Sequence, residues 1–287
     1  MGLTNSRVLI SFIYILILAA GAYLVEFLPE PHLLIKLLIV DIILTIIVFS
    51  QSAILKNASV YDLYWSVIPF AMLFYWIYEL DVLTFNYRMM ITISLLSVWS
   101  WRLTLNWFRG WKGLAHEDWR YMNLSSKTGV FYPIVNFLGI HLFPTLLVFI
   151  AALPLRAIFT SENPITYIDA IGASIMGLGI LLEGMADNQM HRFKSSENNK
   201  GIISEGIWRF TRHPNYLGEI LFWWGLYILA IDAGISSYFI IGPILISLLF
   251  IFISIPMMER RLSKKHSEYN EYKRNTSMLL PLKFFLK

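Results

Sequence analysis

The chain has 287 residues, of which 57% are hydrophobic and only 15% are charged. Soluble domains carry about 25% charged residues, so this much apolar surface indicates a protein solvated by lipid. The chain has no cysteine, which excludes disulfides, thiolate catalysis and zinc–cysteine or iron–sulfur sites. The net charge of +4 comes from basic residues in short loops rather than from a soluble basic module, so we expect no nucleic-acid partner.

Eight apolar stretches are long enough to cross a bilayer, for which a helix needs about 20 mostly apolar residues. No small-residue cleavage site follows the first stretch, so we expect a retained helix rather than a signal peptide. The pattern therefore predicts an all-α fold, a polytopic transmembrane helical bundle of about eight spans. In chain order these are 8–28, 33–54, 63–80, 88–108, 132–153, 167–187, 216–232 and 237–257.

The basic residues predict how the spans are oriented. With eight spans and a cytoplasmic N-terminus, 20 of the 23 Lys and Arg residues fall on the cytoplasmic side. Only Lys36, Arg88 and Arg156 fall outside, which is the bias that the positive-inside rule describes. We therefore expect both termini to be cytoplasmic. Short loops and a compact N-terminus indicate a bacterial inner membrane.

The chain divides into two halves by its polar content. Residues 1–108 form four spans with few polar features, which we interpret as a substrate-side bundle. Residues 109–287 hold the two long cytoplasmic loops and are interpreted as a cofactor-binding half. Asp41 lies deep in the second span and either packs as a satisfied residue or lines a cavity. In the sixth span, Gly172, Gly177, Gly179 and Gly184 are expected to permit close helix packing.

The sixth span ends in two acids, Glu183 and Asp187. Residues four apart share one face of a helix, and two like charges there repel unless a cation or hydrogen-bond donors lie between them. One interpretation is an acidic pair at the membrane surface, salt-bridged to Arg192 or Lys194. The other is a pair that faces a ligand, because acids at this depth usually face a cavity or a partner.

A basic segment precedes the seventh span, and it contains Arg212, His213 and Pro214. The proline forces His213 out of helical geometry and suits the first turn of a helix. The free N–H groups and the positive helix dipole at that start favour phosphate binding. A basic turn that touches lipid headgroups is the alternative interpretation. The polar side chains that continue into the span are Asn215, Tyr216 and Glu219.

The earlier loop, residues 109–121, mixes charges and tryptophans. This composition suits an interfacial amphipathic stretch, and a functional lid is an equal alternative. His116-Glu117 does not begin a zinc-binding motif, because position 120 is arginine rather than histidine. The six histidines are scattered, so we expect no metal site.

Several of these residues together resemble a known family. The chain is similar to the DUF1295 family from roughly residue 58 to its end. That family is related to the C-terminal domain of steroid 5-alpha-reductases, and more distantly to membrane sterol reductases and isoprenylcysteine carboxyl methyltransferase. The matching elements are Ala186-Asp187, Arg192-Phe193, Gly206-Ile207-Trp208, the run from Arg212 to Glu219, and Trp223-Trp224-Gly225.

The resemblance implies a cytoplasm-facing cofactor pocket in the last helices. In the reductases that cofactor is NADPH, whereas in the methyltransferase a similar Arg-His-Pro element serves S-adenosylmethionine. Arg120 and Tyr121 are expected to close the pocket. By position, the residues that would line it are Glu183, Asp187, Arg192, Lys194, Arg212, His213, Asn215, Tyr216 and Glu219.

The leading hypothesis is an NADPH-dependent reductase of a lipid-soluble enone or similar activated alkene, steroid-like or isoprenoid. During the reaction, negative charge would develop on the carbonyl oxygen of the substrate. The candidate hydrogen-bond donors to that oxygen are Tyr64, Asp62 and Tyr216. The alternative hypothesis is an S-adenosylmethionine-dependent methyltransferase acting on an isoprenoid or lipid. A third is a non-enzymatic lipid-binding or scaffold membrane protein.

Overall fold

The regular structure of the protein is helical. A computed structural model describes residues 2–196 and 201–285, and within these ranges the only pairing of the β type is one isolated bridge between Thr211 and Ser277. The prediction of an all-α fold is therefore confirmed. The chain separates into two compact units, Met1–Thr160 and Ser161–Lys287.

The first unit contains eight α-helices. Asn86 and Asp118 each cap the helix that follows them, through a side-chain oxygen that accepts a backbone N–H. A 3₁₀ turn, Ala58–Leu63, precedes the third helix, and a π-helical segment, Asn136–Leu142, precedes the seventh. The helices are α1 (Leu3–Phe27), α2 (Leu33–Ile54), α3 (Tyr64–Glu79), α4 (Tyr87–Gly110), α5 (Trp119–Thr128), α6 (Tyr132–Val135), α7 (Phe143–Ala152) and α8 (Pro154–Thr160).

Polar contacts between apolar helices hold the first unit in register. The Tyr14 hydroxyl of α1 donates to the carbonyl oxygen of Val60 at 2.7 Å. At the other end of the helices, Lys36 of α2 and Glu79 of α3 form an ion pair of 2.5 Å. Lipid gives no hydrophobic reason for apolar helices to associate, so packing and such hydrogen bonds fix their arrangement.

The second unit contains the remaining helices. A 3₁₀ turn, Gly206–Arg209, lies between the first two of them, and a π-helical segment, Leu249–Ser254, lies between the next two. The helices are α9 (Tyr167–Ser195), α10 (Pro214–Leu229), α11 (Ile241–Leu248), α12 (Ile255–Lys265), α13 (Tyr269–Asn275) and α14 (Leu282–Phe285).

Helices α9 and α10 pack against each other along glycines. A Cβ on Gly172 would lie 2.4 Å from the backbone N of Leu229, and one on Gly179 would lie 2.6 Å from the carbonyl oxygen of Gly218. Real Cβ atoms do not approach so closely, so only glycine fits at these positions. The predicted packing role of Gly172 and Gly179 is confirmed. Gly177 instead faces open space among the described residues.

Six helical stretches in the described ranges are long and apolar enough to cross a membrane. They support an integral membrane protein in a lipid bilayer. Helix α4 has 24 residues but carries three arginines, and α10 has only 16 residues. The predicted count of eight spans exceeds these six stretches because it includes α4 and α10. The six stretches are Leu3–Phe27, Leu33–Ile54, Ala58–Glu79, Trp119–Thr160, Tyr167–Ser195 and Ser237–Lys265.

Candidate functional site

The C-terminal part of α9 carries the predicted acids. Glu183 is buried, with 4% of its surface exposed, and Asp187 one turn later is half-buried. Arg192 and Lys194, in the last turns, are exposed. The helix therefore leads from a buried and a half-buried acid to exposed cations within about three turns.

The 3₁₀ turn that follows is fastened to the end of α9. The backbone N–H of Ile207 donates to Gln189 Oε1 at 3.0 Å, and the indole Nε1 of Trp208 donates to the Ala186 carbonyl at 3.4 Å. The Tyr272 hydroxyl donates to the Trp208 carbonyl from the far side. These bonds place the basic segment 209–213 beside the end of α9.

Helix α10 starts as the sequence predicts. Pro214 is its first residue, and His213 precedes it with φ −136° and ψ 60°, outside helical geometry. The second turn contains Gly218 and the buried Glu219, which is 2% exposed. Asn215 and Tyr216 are half-buried. The structure thus places a helix start without a side-chain cap, an amide, a phenol and an acid within six residues.

The two buried acids lie on either side of one close helix contact. A Cβ on Gly218 would lie 2.8 Å from the Cβ of Glu183, so the two backbones meet at this point. Glu219 follows Gly218 directly in the chain. The structure therefore brings the α9 acid and the α10 acid to one end of the same helix pair.

The guanidinium of Arg212 has its hydrogen-bond partners within the protein. Its Nε and Nη2 each lie 2.8 Å from Oε1 of Glu259, a buried acid of α12. Its Nη1 donates to the carbonyl oxygens of Lys273 and Thr276. The Lys273 ammonium pairs with the second oxygen of Glu259 at 2.6 Å. Arg212 therefore joins the start of α10 to the C-terminal segment.

His213 and Tyr216 form an aromatic stack next to Glu259 of α12. Their ring centroids are 5.5 Å apart with an interplanar angle of 6°, and the centroid of Phe250 lies 4.8 Å from that of Tyr216. The His213 Nε2 lies 3.2 Å from Glu259 Oε1. Burial lowers the pKa of His213, against the opposing effect of its bond to Glu259. A neutral imidazole is therefore favoured in this stack.

The cations of this end of the unit suit different tasks. Exposed Arg192 and Lys194 have the reach and solvent access to bind phosphates, and their charge matches a phosphate-rich cofactor. The guanidinium of Arg212 is 7% exposed and already satisfied, so its contribution to a pocket is to position His213 and the start of α10. Arg192 and Lys194 are therefore the cations of this end that could hold an anionic group.

In the first unit, the structure brings Asp62, Arg120 and Tyr121 together. The Tyr121 hydroxyl donates to Asp62 Oδ1, and Arg120 Nη2 lies 3.8 Å from the same oxygen. Arg120 Nε donates to Asp118 Oδ1 at 2.8 Å. The sequence analysis assigned Asp62 to catalysis and Arg120 and Tyr121 to closure of a pocket. The structure places all three in one cluster of hydrogen bonds and an ion pair.

Tyr64 belongs to a different group in the same unit. Its hydroxyl donates to Asp41 Oδ1 at 2.7 Å and lies 3.0 Å from the Asp41 carbonyl oxygen. Both residues are buried. Of the two interpretations of Asp41, the structure supports the one in which it lines a cavity.

Sequence reasoning gave no role to Glu259 and no hydrogen-bond partner to Asp41, the two acids that organise these groups. The available signal for Glu259 was an acid directly before Arg260 and Arg261 at the end of the last span. For Asp41 it was the presence of an acid within an otherwise apolar span.

Comparisons with known proteins agree with the resemblance. Residues 48–276 match the family described as "Protein of unknown function (DUF1295)". A relative in Schizosaccharomyces pombe, "Uncharacterized protein C594.04c", is 27% identical over 223 residues. That alignment covers 69% of this chain and 65% of the yeast protein, so it spans just under two thirds of the relative's length. No solved structure matches the chain. Because the family match extends over most of the sequence, the chain belongs to the DUF1295 family.

Proposed function

We propose that the chain is a membrane-embedded NADPH-dependent reductase that acts on a lipid-soluble enone or similar activated alkene. The observation that carries the proposal is the convergence at the Gly218–Glu183 contact. There the buried acids, the half-buried Asn215 and Tyr216, and the exposed cations of α9 share one end of a helix pair. The relationship of this family to the steroid 5-alpha-reductases supports the same assignment.

In the proposed site, the protein's residues bind and orient. Arg192 and Lys194 hold phosphates, assisted by the N–H groups at the start of α10. Asp187 and Asn215 offer oxygens and an amide to ribose hydroxyls. The cofactor, when bound, would supply a hydride to the β-carbon of the substrate, and a proton from water would complete the reduction at the α-carbon. Glu183 and Glu219, buried beside Gly218, fix the helix pair and the shape of the pocket.

The developing charge on the substrate carbonyl oxygen needs a donor. In a dry site one such hydrogen bond is worth about 3–4 kcal/mol of transition-state stabilisation. The donor proposed at this end of the second unit is Tyr216, whose ring stacks on that of His213. Tyr216→Phe should lower kcat while cofactor binding persists. Tyr64→Phe and Asp62→Asn test, by the same measurement, the two other donors that the sequence offers.

Cofactor binding is the first test. Purified chain in detergent is titrated with NADPH, and nicotinamide fluorescence and the melting temperature are recorded. The double variant Arg192→Gln, Lys194→Gln should weaken binding by about tenfold or more, because each lost phosphate contact is a charge-assisted hydrogen bond. The matched control replaces two exposed lysines of α12, Lys264→Gln and Lys265→Gln, and should bind as wild type.

S-adenosylmethionine serves as the competing cofactor in the same assay. A rise in melting temperature with NADPH and none with S-adenosylmethionine supports the reductase. The reverse result would replace the reductase with a methyltransferase acting on an isoprenoid or lipid. A chain that binds neither would be a lipid-binding or scaffold protein, and the proposed reductase would be abandoned.

The proposed topology has eight crossings, with α4 and α10 spanning in addition to the six apolar stretches. Both termini and the cofactor end of α9 then face the cytoplasm of a bacterial inner membrane. Since the chain has no cysteine, single cysteines report cleanly on sidedness. An impermeant maleimide applied to intact cells should label Glu162→Cys and leave Ser126→Cys unlabelled. The opposite pattern would reverse the orientation.

A further inference from the structure

The first unit contains an apolar cavity of about 560 Å³ between α1, α2 and α3. Its walls include Leu37 and Leu44 of α2 and Val67 and Ala71 of α3. The volume lies within the range of about 300–1,000 Å³ that is usual for pockets that hold a small molecule. All of these residues belong to one compact unit, so the cavity is a feature of that unit alone.

The cavity is reached from the lipid side of the helices. Three of its lining residues are also strongly exposed: Phe74 by 58%, Tyr78 by 60% and Leu18 by 38%. Exposed apolar side chains on spanning helices face lipid. At the rim, the Tyr78 hydroxyl of α3 donates to Glu26 of α1. A molecule dissolved in the bilayer can therefore enter between α1 and α3 below this bond.

Asp41 is a buried acid in the lining of this largely apolar cavity, away from the rim where Glu26 and Tyr78 lie. Asp41 is 3% exposed and lies five residues after Lys36, about 7.5 Å further along α2. Its Oδ1 accepts the Tyr64 hydroxyl, whereas its Oδ2 is buried and has no hydrogen-bond partner in the parts of the chain that the structure describes. Leaving a buried carboxyl oxygen unmatched is costly, so a ligand that supplies the missing bond gains affinity.

We infer that this cavity binds an apolar lipid alcohol, with its hydroxyl against Asp41 and its hydrocarbon body along Leu37, Leu44 and Ala71. A hydroxyl fits because it both donates and accepts, and so matches a carboxyl group in either protonation state. An ammonium headgroup is disfavoured, because moving that charge into an apolar cavity costs more than moving a hydroxyl. This site goes beyond the proposed reductase, since binding there requires no cofactor.

The test measures binding of oleyl alcohol to the purified full-length chain in detergent by native mass spectrometry, without NADPH. The methyl ether of oleyl alcohol, which cannot donate, is the matched probe, and oleylamine is the charged one. The alcohol should bind about tenfold more tightly than the ether, the ratio expected for one hydrogen bond to a buried group. Equal binding of alcohol and ether, no binding of the alcohol, or tighter binding of the amine would overturn the inference.

Variants locate the site. Asp41→Leu should remove the preference for alcohol over ether. In this variant the Tyr64 hydroxyl can still donate to the backbone carbonyl oxygen of residue 41. Ala71→Phe should weaken both probes by filling the cavity. Ile46→Phe places the same phenyl ring on an exposed face of α2 and should change neither. Wild-type binding by Ala71→Phe, in protein that melts as wild type, would place the lipid elsewhere. Because these binding tests omit NADPH, their failure is distinct from failure of the cofactor assay.

Discussion

A Cβ built on Gly218 would lie 2.8 Å from the Cβ of Glu183 and 3.0 Å from its backbone N. Gly218 begins the second turn of α10, and Glu183 is a buried acid of α9. This contact sets how closely the two helices approach at the proposed cofactor end. Every other group of that site is carried on one of these two helices or is fastened to them.

Gly218→Ala should therefore destabilise the second unit. The added methyl group meets backbone and Cβ atoms rather than a flexible side-chain end, so the helices must separate. Overpacking of this kind costs about 1–3 kcal/mol. Thermal unfolding in detergent measures the loss.

Gly177→Ala is the matched control, because nothing lies within 4 Å of its added methyl group. It removes a helix-interior glycine and should be neutral or stabilising by up to about 1 kcal/mol. Equal melting temperatures for the two variants would mean that the helices do not meet at Gly218.

Glu259→Gln should destabilise the C-terminal segment. Glu259 is the common acceptor for Arg212, His213 and Lys273, and without its charge the buried guanidinium loses its counterion. Breaking a buried pair by removing one partner costs about 3–5 kcal/mol. Trypsin should then cleave near Lys273 faster, because the α12–α13 connection loosens.

The control for this change is Glu271→Gln, at an exposed acid of α13. Surface substitutions usually change stability by less than about 0.5 kcal/mol. Should trypsin release the C-terminal segment equally fast from both variants, the clamp around Glu259 contributes nothing.

Stability should fall as the pH falls through the ordinary pKa of histidine. Burial lowers the pKa of His213 in the folded protein, with Arg212 and Lys273 acting in the same direction and Glu259 opposing. The unfolded chain takes up a proton near pH 6.5, whereas the folded chain resists it. The unfolded state thus binds more protons, and the contribution of His213, fully present above that pH, is lost as the pH decreases.

Melting temperatures recorded across this range test the linkage. The wild type should lose more stability on acidification than His213→Gln, which has nothing to titrate at that position. Parallel profiles for the two proteins would contradict a lowered pKa at His213.

Hydropathy and proline placement predicted much of the fold. The apolar stretches predict α1, α2 and α9, because a helix satisfies the backbone hydrogen bonds of such a long segment within lipid. Pro214 marks the start of α10, since proline suits a first helical turn and excludes helical geometry from His213. The π-helical segment Asn136–Leu142 was not foreseen, because a change in hydrogen-bond register leaves the apolar pattern intact.

The candidate site was less accessible to sequence reasoning. Arg212 has the appearance of a phosphate ligand in a basic segment, but its acceptor, Glu259, is 47 residues away and lies on another helix. Tyr64 was identified as a donor, but its partnership with Asp41 depends on how α2 and α3 are rotated against each other. Periodicity gives the face of a helix and not the neighbour that covers it.

Asn57 holds the loop before α5, and its loss should release that loop. The buried Asn57 Nδ2 donates to the carbonyl oxygens of Leu114 at 3.0 Å and His116 at 3.2 Å. Next to it, the Ala58 N–H donates to Glu117 Oε1 at 2.7 Å, and Ser59 Oγ accepts the Asp118 N–H at 2.8 Å. The second half of the loop, residues 114–118, is therefore bonded to Asn57 and to the start of the 3₁₀ turn.

Asn57→Ala removes two of these bonds and should speed amide hydrogen exchange in residues 112–118 by about tenfold or more, at roughly 1 kcal/mol for each bond. Ser126→Ala, which loses only a bond between an exposed hydroxyl and the Asn123 carbonyl, is the control and should exchange as wild type. The same measurement separates the two interpretations of this loop. A lid should also slow its exchange when NADPH binds, whereas an interfacial segment fixed by Asn57 should respond to the substitution and not to the cofactor. Unchanged exchange in Asn57→Ala would mean that other contacts hold the loop.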